Sequence, residues 1–165
     1  MIGIRPGTME DLPALAPFFR DFFNLHKQML GQEESLDDAD GERIARSALE
    51  KAGSRTLVAQ REETGQLLGF ARWEEREGAF FGCELYVVPE FRSQGIGRRL
   101  IEEVERQVRA AGGRAFFVNI VPQNRRMLAF VHRQGYDTLN TLELRKDLAE
   151  ARSRRGQVRI FGIDF

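Results

Sequence analysis

The run Leu85-Tyr86-Val87-Val88-Pro89-Glu90-Phe91-Arg92-Ser93-Gln94-Gly95-Ile96-Gly97-Arg98-Arg99-Leu100 is the stretch of this chain with the clearest chemistry. It passes from an apolar strand through a short turn and a glycine pair into an amphipathic helix. Glycines there let backbone N–H groups approach a ligand, and the helix dipole adds about half a positive charge. That makes an anion site suited to phosphates. Arg92, Arg98 and Arg99 add full charges. The spacing is not Gly-x-x-x-x-Gly-Lys-Ser/Thr, so a nucleoside-triphosphate loop is excluded, and Gly-x-Gly-x-x-Gly is absent too. Just upstream, Glu84 is the carboxylate of an otherwise apolar strand and the first candidate for a base. Cys83 beside it reads as a core thiol.

These residues need elements to hold them. Residues 2–5 predict a short strand. Thr8, with Asp11 three positions on, predicts a helix start, followed by Leu12, Leu15, Phe19, Phe22 and Leu25 at helical spacing. A second helix is predicted over 41–52, closed by Gly53. Residues 55–61 and 66–75 read as strands joined at Glu63-Thr64-Gly65, and 79–88 as a third, stopped by Pro89. The helix from Gly97 to Ala111 carries Leu100, Ile101, Val104, Val108 and Ala111 on one face. Its other face offers Glu102–Arg106 and Glu105–Arg109 as i,i+4 pairs, and Gly112-Gly113 closes it. A strand over Ala115–Ile120, a helix over Asn124–Gln134 and a strand over Thr138–Lys146 complete the order. The expected fold class is mixed α/β (α+β): a mostly antiparallel central sheet flanked by helices, with a crossover and at least one parallel pair.

Composition narrows the functions. At 165 residues the chain has the size of one ordinary domain. Lys and Arg total 25 and Asp and Glu total 25, which excludes a broadly basic nucleic-acid binder. One cysteine excludes an internal disulfide, and with two histidines no metal site is expected. No apolar run approaches a membrane span and no secretory leader is evident, so a cytoplasmic protein without membrane partners is expected.

The pattern Val87-x-Pro89-x-x-Arg92-x-x-Gly95-x-Gly97 resembles the acetyl-coenzyme A signature of the GNAT superfamily of N-acetyltransferases. Asn124-x-x-Met127-x-x-Phe130-Val131-x-x-x-Gly135-Tyr136 is similar to that family's later motif. The likeness covers about residues 2–148. It implies a domain over 1–148 with a C-terminal extension over 149–165, a GNAT-like acyl-CoA N-acyltransferase fold, and acetyl-CoA as cosubstrate. It implies a coenzyme site made of Val87, Val88, Arg92, Ser93, Gln94, Gly95, Ile96, Gly97, Arg98 and Asn124. Asn124 serves equally well as a helix N-cap.

The implied reaction is direct attack of a primary amine on acetyl-CoA in a ternary complex. An alkyl amine has a pKa of about 10.4, so recovering the neutral form at pH 7 costs roughly 4–5 kcal/mol. A base helps, and Glu84 is the candidate. The resemblance places the oxyanion donor at the backbone N–H of Leu85 or its neighbour Val87. The family's usual proton donor to sulfur is a Tyr, where this chain has Val131. His132 and Tyr86 are the replacement candidates, and protonation by water is the third route.

The acceptor is implied to lie near the first two helices. Glu33, Glu34, Asp37, Asp38, Asp40 and Glu42 fall there, with Glu74, Glu75 and Glu77 at a strand end. Such a concentration would attract a cationic amine, small molecule or peptide; a solvated acidic loop is the plain alternative. Residues 157–165 read as a further strand packed on this domain or on a second copy, and a homodimer is expected. The rivals to an enzyme are a non-catalytic acetyl-CoA sensor on the same fold and an interaction module whose glycine turn is structural.

Overall fold

The computed structural model describes residues 1–32, 35–144, 158–160 and 162–164. Its chain order is β1 (Ile2–Pro6), a 3-10 turn (Met9–Asp11), α1 (Leu12–Met29), α2 (Asp38–Glu50), β2 (Ser54–Arg61), β3 (Leu67–Arg76) and β4 (Ala79–Val87). A second 3-10 turn (Pro89–Phe91), α3 (Ile96–Ala110), β5 (Phe116–Val118), α4 (Arg125–His132), β6 (Arg159–Ile160) and β7 (Ile163–Asp164) follow. Contacts divide the chain into two units, one of residues 1–24 with 36–119 and one of 25–35 with 120–165.

The first unit holds a sheet in the order β1-β2-β3-β4-β5, antiparallel except for the parallel β4–β5 pair. Side chains alternate across a strand, so the sheet builds one core on each face. On one face Leu57, Ala59, Leu68, Ala71 and Trp73 meet Ile96, Leu100, Val104 and Val108 of α3. On the other, Val58, Phe70 and Tyr86 meet Leu12, Leu15 and Phe19 of α1 and Ala45 and Ala48 of α2. Phe19 and Phe70 lie with ring centroids 4.3 Å apart.

Local chemistry sets the boundaries. Asp11 accepts from the Thr8 N–H at 2.8 Å and takes both terminal nitrogens of Arg5, so the start of α1 is bolted to β1. Asp37 caps α2 by accepting from the Asp40 N–H, which starts that helix earlier than the apolar spacing predicts. Gly41 is where α2 crosses α1. A Cβ there would stand 2.6 Å from the Ala16 carbonyl oxygen. On α3, Glu102 pairs with Arg98 and Arg106 with Glu103, in place of the expected Glu102–Arg106 pair; Glu105–Arg109 forms.

The second unit contains α4 and a β6–β7 hairpin. Two expectations change here. Thr138–Lys146 was expected as a strand, but residues 138–144 form none, and Leu139, Leu142 and Leu144 are exposed; positions 145–146 lie outside the described residues. Apolar alternation makes a strand only where a partner edge supplies hydrogen bonds. The single tail strand over 157–165 is instead a hairpin, reversed near Gly162 at φ 81°.

One buried carboxylate in the first unit gathers three cations. Glu74, with its side chain 2% exposed, accepts from Lys51 Nζ at 2.5 Å, from Arg72 at 3.3 Å and from Arg76. Burial opposes its ionisation, but the Lys51 and Arg76 hydrogen bonds and the Arg76 and Arg72 charges win and hold it at about 2. The stabilisation from Glu74 is therefore complete above its ordinary value near 4.5 and is lost as pH falls through about 2. Glu74→Gln is expected to cost about 3 kcal/mol at pH 6 by urea denaturation. The gap to the native chain should narrow steadily between pH 4.5 and 2.

Candidate active site

The site starts from a strand edge. β5 pairs with β4 only along Phe80–Gly82, opposite Phe116–Val118. Gly82 allows that approach, since a Cβ there would meet Phe116 Cζ at 3.0 Å and Val118 Cγ1 at 3.1 Å. At the next residue the β3–β4 register slips: Arg72 faces Glu84 and Trp73 faces Gly82, leaving Cys83 as the extra residue. A bulge bends and twists its strand. Beyond it, Glu84–Val87 pair with β3 alone among the described residues.

Parity decides which amides face the open side. The Val88 N–H donates to the Leu68 carbonyl at 2.9 Å. Hydrogen-bonding sides alternate along an antiparallel strand, so Tyr86 and Glu84 turn their amides to β3, and Leu85 and Val87 turn theirs to the open edge. The Val87 carbonyl, on the same side, accepts from Arg92 Nε at 2.8 Å. The Leu85 N–H thus lies on the side of β4 that no described strand pairs with.

The strand runs directly into an anion loop. Pro89 seeds a 3-10 turn; Ser93 at φ 63° and Gly95 at φ 81° then fold the chain into α3. The backbone N–H groups of Ser93, Gln94, Gly95, Ile96, Gly97 and Arg98 donate to no group among the described residues, while Arg99 N–H begins the helix by donating to the Gly95 carbonyl at 3.1 Å. Six successive free amides at a helix start form a cradle for an anion. Space at Gly95 is open: a Cβ would meet nothing within 4 Å. Its glycine answers a positive φ and leaves the backbone bare toward a ligand. Ile96 is buried and anchors the loop to the α3 core. The arrangement fits a pyrophosphate-bearing ligand such as acetyl-CoA by donor type and number. Arg92 and Arg98 contribute less directly than their charge implies, since Arg98 pairs with Glu102 at 2.7 Å and Arg92 braces the strand.

The face of β4 toward α1 and α2 carries Tyr86. Its ring is 6% exposed, with Phe18 at 5.4 Å, Phe70 at 6.2 Å and the Arg92 guanidinium 5.6 Å from its centroid. Burial, joined by the neighbouring Asp21 carboxylate, pushes its phenol above the ordinary value. Glu84, expected as a free base, has both oxygens held by Arg72, Oε1 by Nη2 at 2.9 Å and Oε2 by Nε. Arg72 also reaches Ser54 and Glu74. Cys83, expected as a core thiol, is half-buried and takes part in neither core cluster; burial raises its thiol above the ordinary value, which disfavours the thiolate.

Asn124 and His132 belong to the second unit. Asn124 caps α4, its Oδ1 accepting from the Met127 N–H at 3.1 Å. His132 ends that helix on the surface, and Val131 beside it is buried. The acidic set is largely committed elsewhere. Asp37 caps α2, Asp38 pairs with Arg20, Asp40 with Arg43, Glu42 with Arg46, and Glu74 is enclosed by three cations. Most of these acids complement the positive end of α2, which is the physical reason for their concentration. Glu33 and Glu34 lie outside the described residues. Two residues that pattern reading passed over, Arg72 and Asp21, flank the strand. Only the pairing of β3 with β4 reveals the first, and only the packing of α1 the second.

Residues 15–136 match the acetyltransferase (GNAT) family. A relative from Bacillus subtilis (strain 168), the uncharacterized N-acetyltransferase YhfO, is 24% identical over 142 residues, covering 82% of this chain and 90% of that protein. The PaiA N-acetyltransferase of Thermoplasma acidophilum, solved with coenzyme A, shares the fold with a TM-score of 0.68 at 20% identity, over 86% of this chain and 92% of that one. AAC(6')-Iy, solved with the bisubstrate analog CoA-S-monomethyl-acetylneamine, does so with a TM-score of 0.67 at 18% identity, over 90% of this chain and 99% of that one. The matched stretch contains β4, the anion loop and α3 together, and the chain belongs to the acetyltransferase (GNAT) family of acetyl-CoA-dependent acyltransferases.

Proposed function

We propose that this chain transfers the acetyl group of acetyl-CoA to a primary amine by direct attack. The observation that carries the proposal is the junction of a β4 edge, presenting the Leu85 N–H, with six amides at the start of α3, both without backbone partners among the described residues. Bound acetyl-CoA supplies an activated acetyl thioester. The amides of Ser93–Arg98 hold its pyrophosphate, and Ile96 keeps that loop rigid from beneath. The Leu85 N–H stabilises negative charge developing on the carbonyl oxygen, a contribution that costs about 3–4 kcal/mol when such a donor is lost elsewhere. Tyr86 stays protonated through neutral pH and gives its proton to the departing sulfur.

Glu84 enters this reading as the partner of Arg72. A carboxylate held on both oxygens by one guanidinium is oriented toward that partner, so Glu84 ties β4 to β3. The acceptor reading follows the chemistry of neighbours: one structure of similar fold carries an aminoglycoside-derived analog, and a cationic small-molecule amine is the class we assign here. The paired acids of α2 contribute little to that preference, so it is expected to be modest and to weaken with salt.

Thiol release from acetyl-CoA against a panel of polyamines, aminoglycosides and peptide amines tests the proposal. Turnover with at least one is expected; tight binding of acetyl-CoA without turnover on any would replace the enzyme with a sensor. Gly95→Val should lower acetyl-CoA affinity at least tenfold by calorimetry, while the strain at a positive φ costs about 1–2 kcal/mol of stability. Glu84→Gln should lower Tm by about 5–10 °C by leaving Arg72 half-paired, with the pH profile of kcat unmoved. A shifted profile at unchanged Tm would return Glu84 to the role of base.

A further inference from the structure

Between the pairs Gly82–Trp73 and Val87–Gly69, the residues Cys83, Glu84, Leu85 and Tyr86 face only Arg72, Ala71 and Phe70. β4 therefore has one residue to spare, and a bulge has to take it. Both ends of the stretch are pinned. Gly82 lies against β5, and the Val88 N–H sits on the Leu68 carbonyl at 2.9 Å. Neither end decides which residue is the extra one. Side-chain alternation normally does so, but Leu85 and Tyr86 are both apolar and the sheet carries an apolar core on each face. Glu84 breaks the tie. Its side chain is 8% exposed, with Oε1 held by Arg72 Nη2 at 2.9 Å and Oε2 by Nε. Arg72, 13% exposed, is itself fixed by Ser54 Oγ at 3.1 Å and Glu74 Oε2 at 3.3 Å.

We infer that Arg72 is a positioning residue for acetyl transfer: through Glu84 it keeps the bulge ahead of Leu85 and so aims the Leu85 N–H away from β3. The inference rests on the acetyl-transfer reading of the preceding section. With Tyr86 as the extra residue instead, Cys83 would face Arg72, Glu84 would face Ala71 and Leu85 would face Phe70. The Leu85 N–H would then donate to β3, because the bonding side of an antiparallel strand follows its partner residue. Glu84 would turn to the other face of the sheet, where Ala71 and the apolar residues of α3 offer it no charge. A carboxylate buried without a partner is strongly disfavoured, so the pair with Arg72 holds the bulge where it is. Ser54 and Glu74 keep the guanidinium from following Glu84. A buried ion pair adds little net stability, and fixing register is the use best matched to this one.

Amide hydrogen exchange followed by NMR on ¹⁵N-labelled protein reads the register without any substrate. In the native chain the Tyr86 N–H, bonded to β3, should exchange at least about tenfold more slowly than the Leu85 N–H. Arg72→Met combined with Glu84→Leu removes both charges at similar volume, so Tm should stay within about 5 °C of native. In that variant the order of the two amides should reverse. On an amine that the native chain acetylates, its kcat should fall at least about 30-fold with acetyl-CoA KM within about threefold, since the anion loop keeps its anchor at Ile96. Arg72→Lys, which keeps a cation on Glu84, should retain the native order. If the double variant does not fold, Glu84→Leu alone, which leaves Arg72 on Ser54 and Glu74, gives the same comparison. The native order in a folded variant lacking the pair overturns the inference, and so does a native chain in which Leu85 is as protected as Tyr86. A reversed order with near-native kcat overturns the positioning role in the reaction. Absence of turnover in the native chain with every amine overturns the transferase reading and that role together, while the exchange order still reports whether the pair sets the register.

Discussion

The edge of β4 along Glu84–Val87, which no described strand covers, is the constraint on which the rest of this structure depends. Backbone amides inside a protein are almost always paired, and an open edge normally attracts a wrong partner. Here the opening is produced by two adjacent features. Gly82 admits β5 to close contact, and the bulge at Cys83 turns β4 away from it one residue later. The edge is short and immediately runs into a loop whose amides are also free. An extended ligand with a carbonyl at one end and phosphates at the other would satisfy both sets. Strand and loop thus act as one continuous row of donors.

Electrostatics reinforce that division without dominating it. Net charge is zero, yet the charges are sorted locally. Acids gather at the start of α2, where they cap the helix or pair with Arg20, Arg43 and Arg46. The buried cluster around Glu74 ties α2, β3 and, through Arg72, β4 into one charged brace. Such a cluster is costly to bury and strongly destabilising to break, so its role is to fix geometry more than to add stability. It holds β3 against β4 just where β4 must carry its bulge.

Tyr86 is the point where the layers meet. Its backbone bonds to β3, its ring packs under α1, and its face carries the arginine that steadies the anion loop. A group that touches core, loop and α1 transmits the position of each to the others. Arg92 is part of this arrangement. Its motif position marks it as a phosphate ligand, but its Nε and its guanidinium face are used within the protein.

The motif around Gly95, the helix that follows it and the strand before it were legible from the residues alone, because local backbone geometry demands those types: glycine at a positive φ, proline to stop a strand, apolar residues at every third or fourth place. The family, and with it the identity of the anionic cosubstrate, follows from the same local pattern. What the residues could not reveal is which groups are already spoken for. Glu84 reads as a lone carboxylate until the β3–β4 register sets Arg72 opposite it, and the acidic run reads as an amine attractor until α2 starts three residues early, capped by Asp37. Likewise Thr138–Lys146 has the alternation of a strand, yet 138–144 forms none. Sequence spacing reports what a segment can do by itself; pairing, capping and proximity between distant segments depend on long-range packing, and that is decided only in the folded chain.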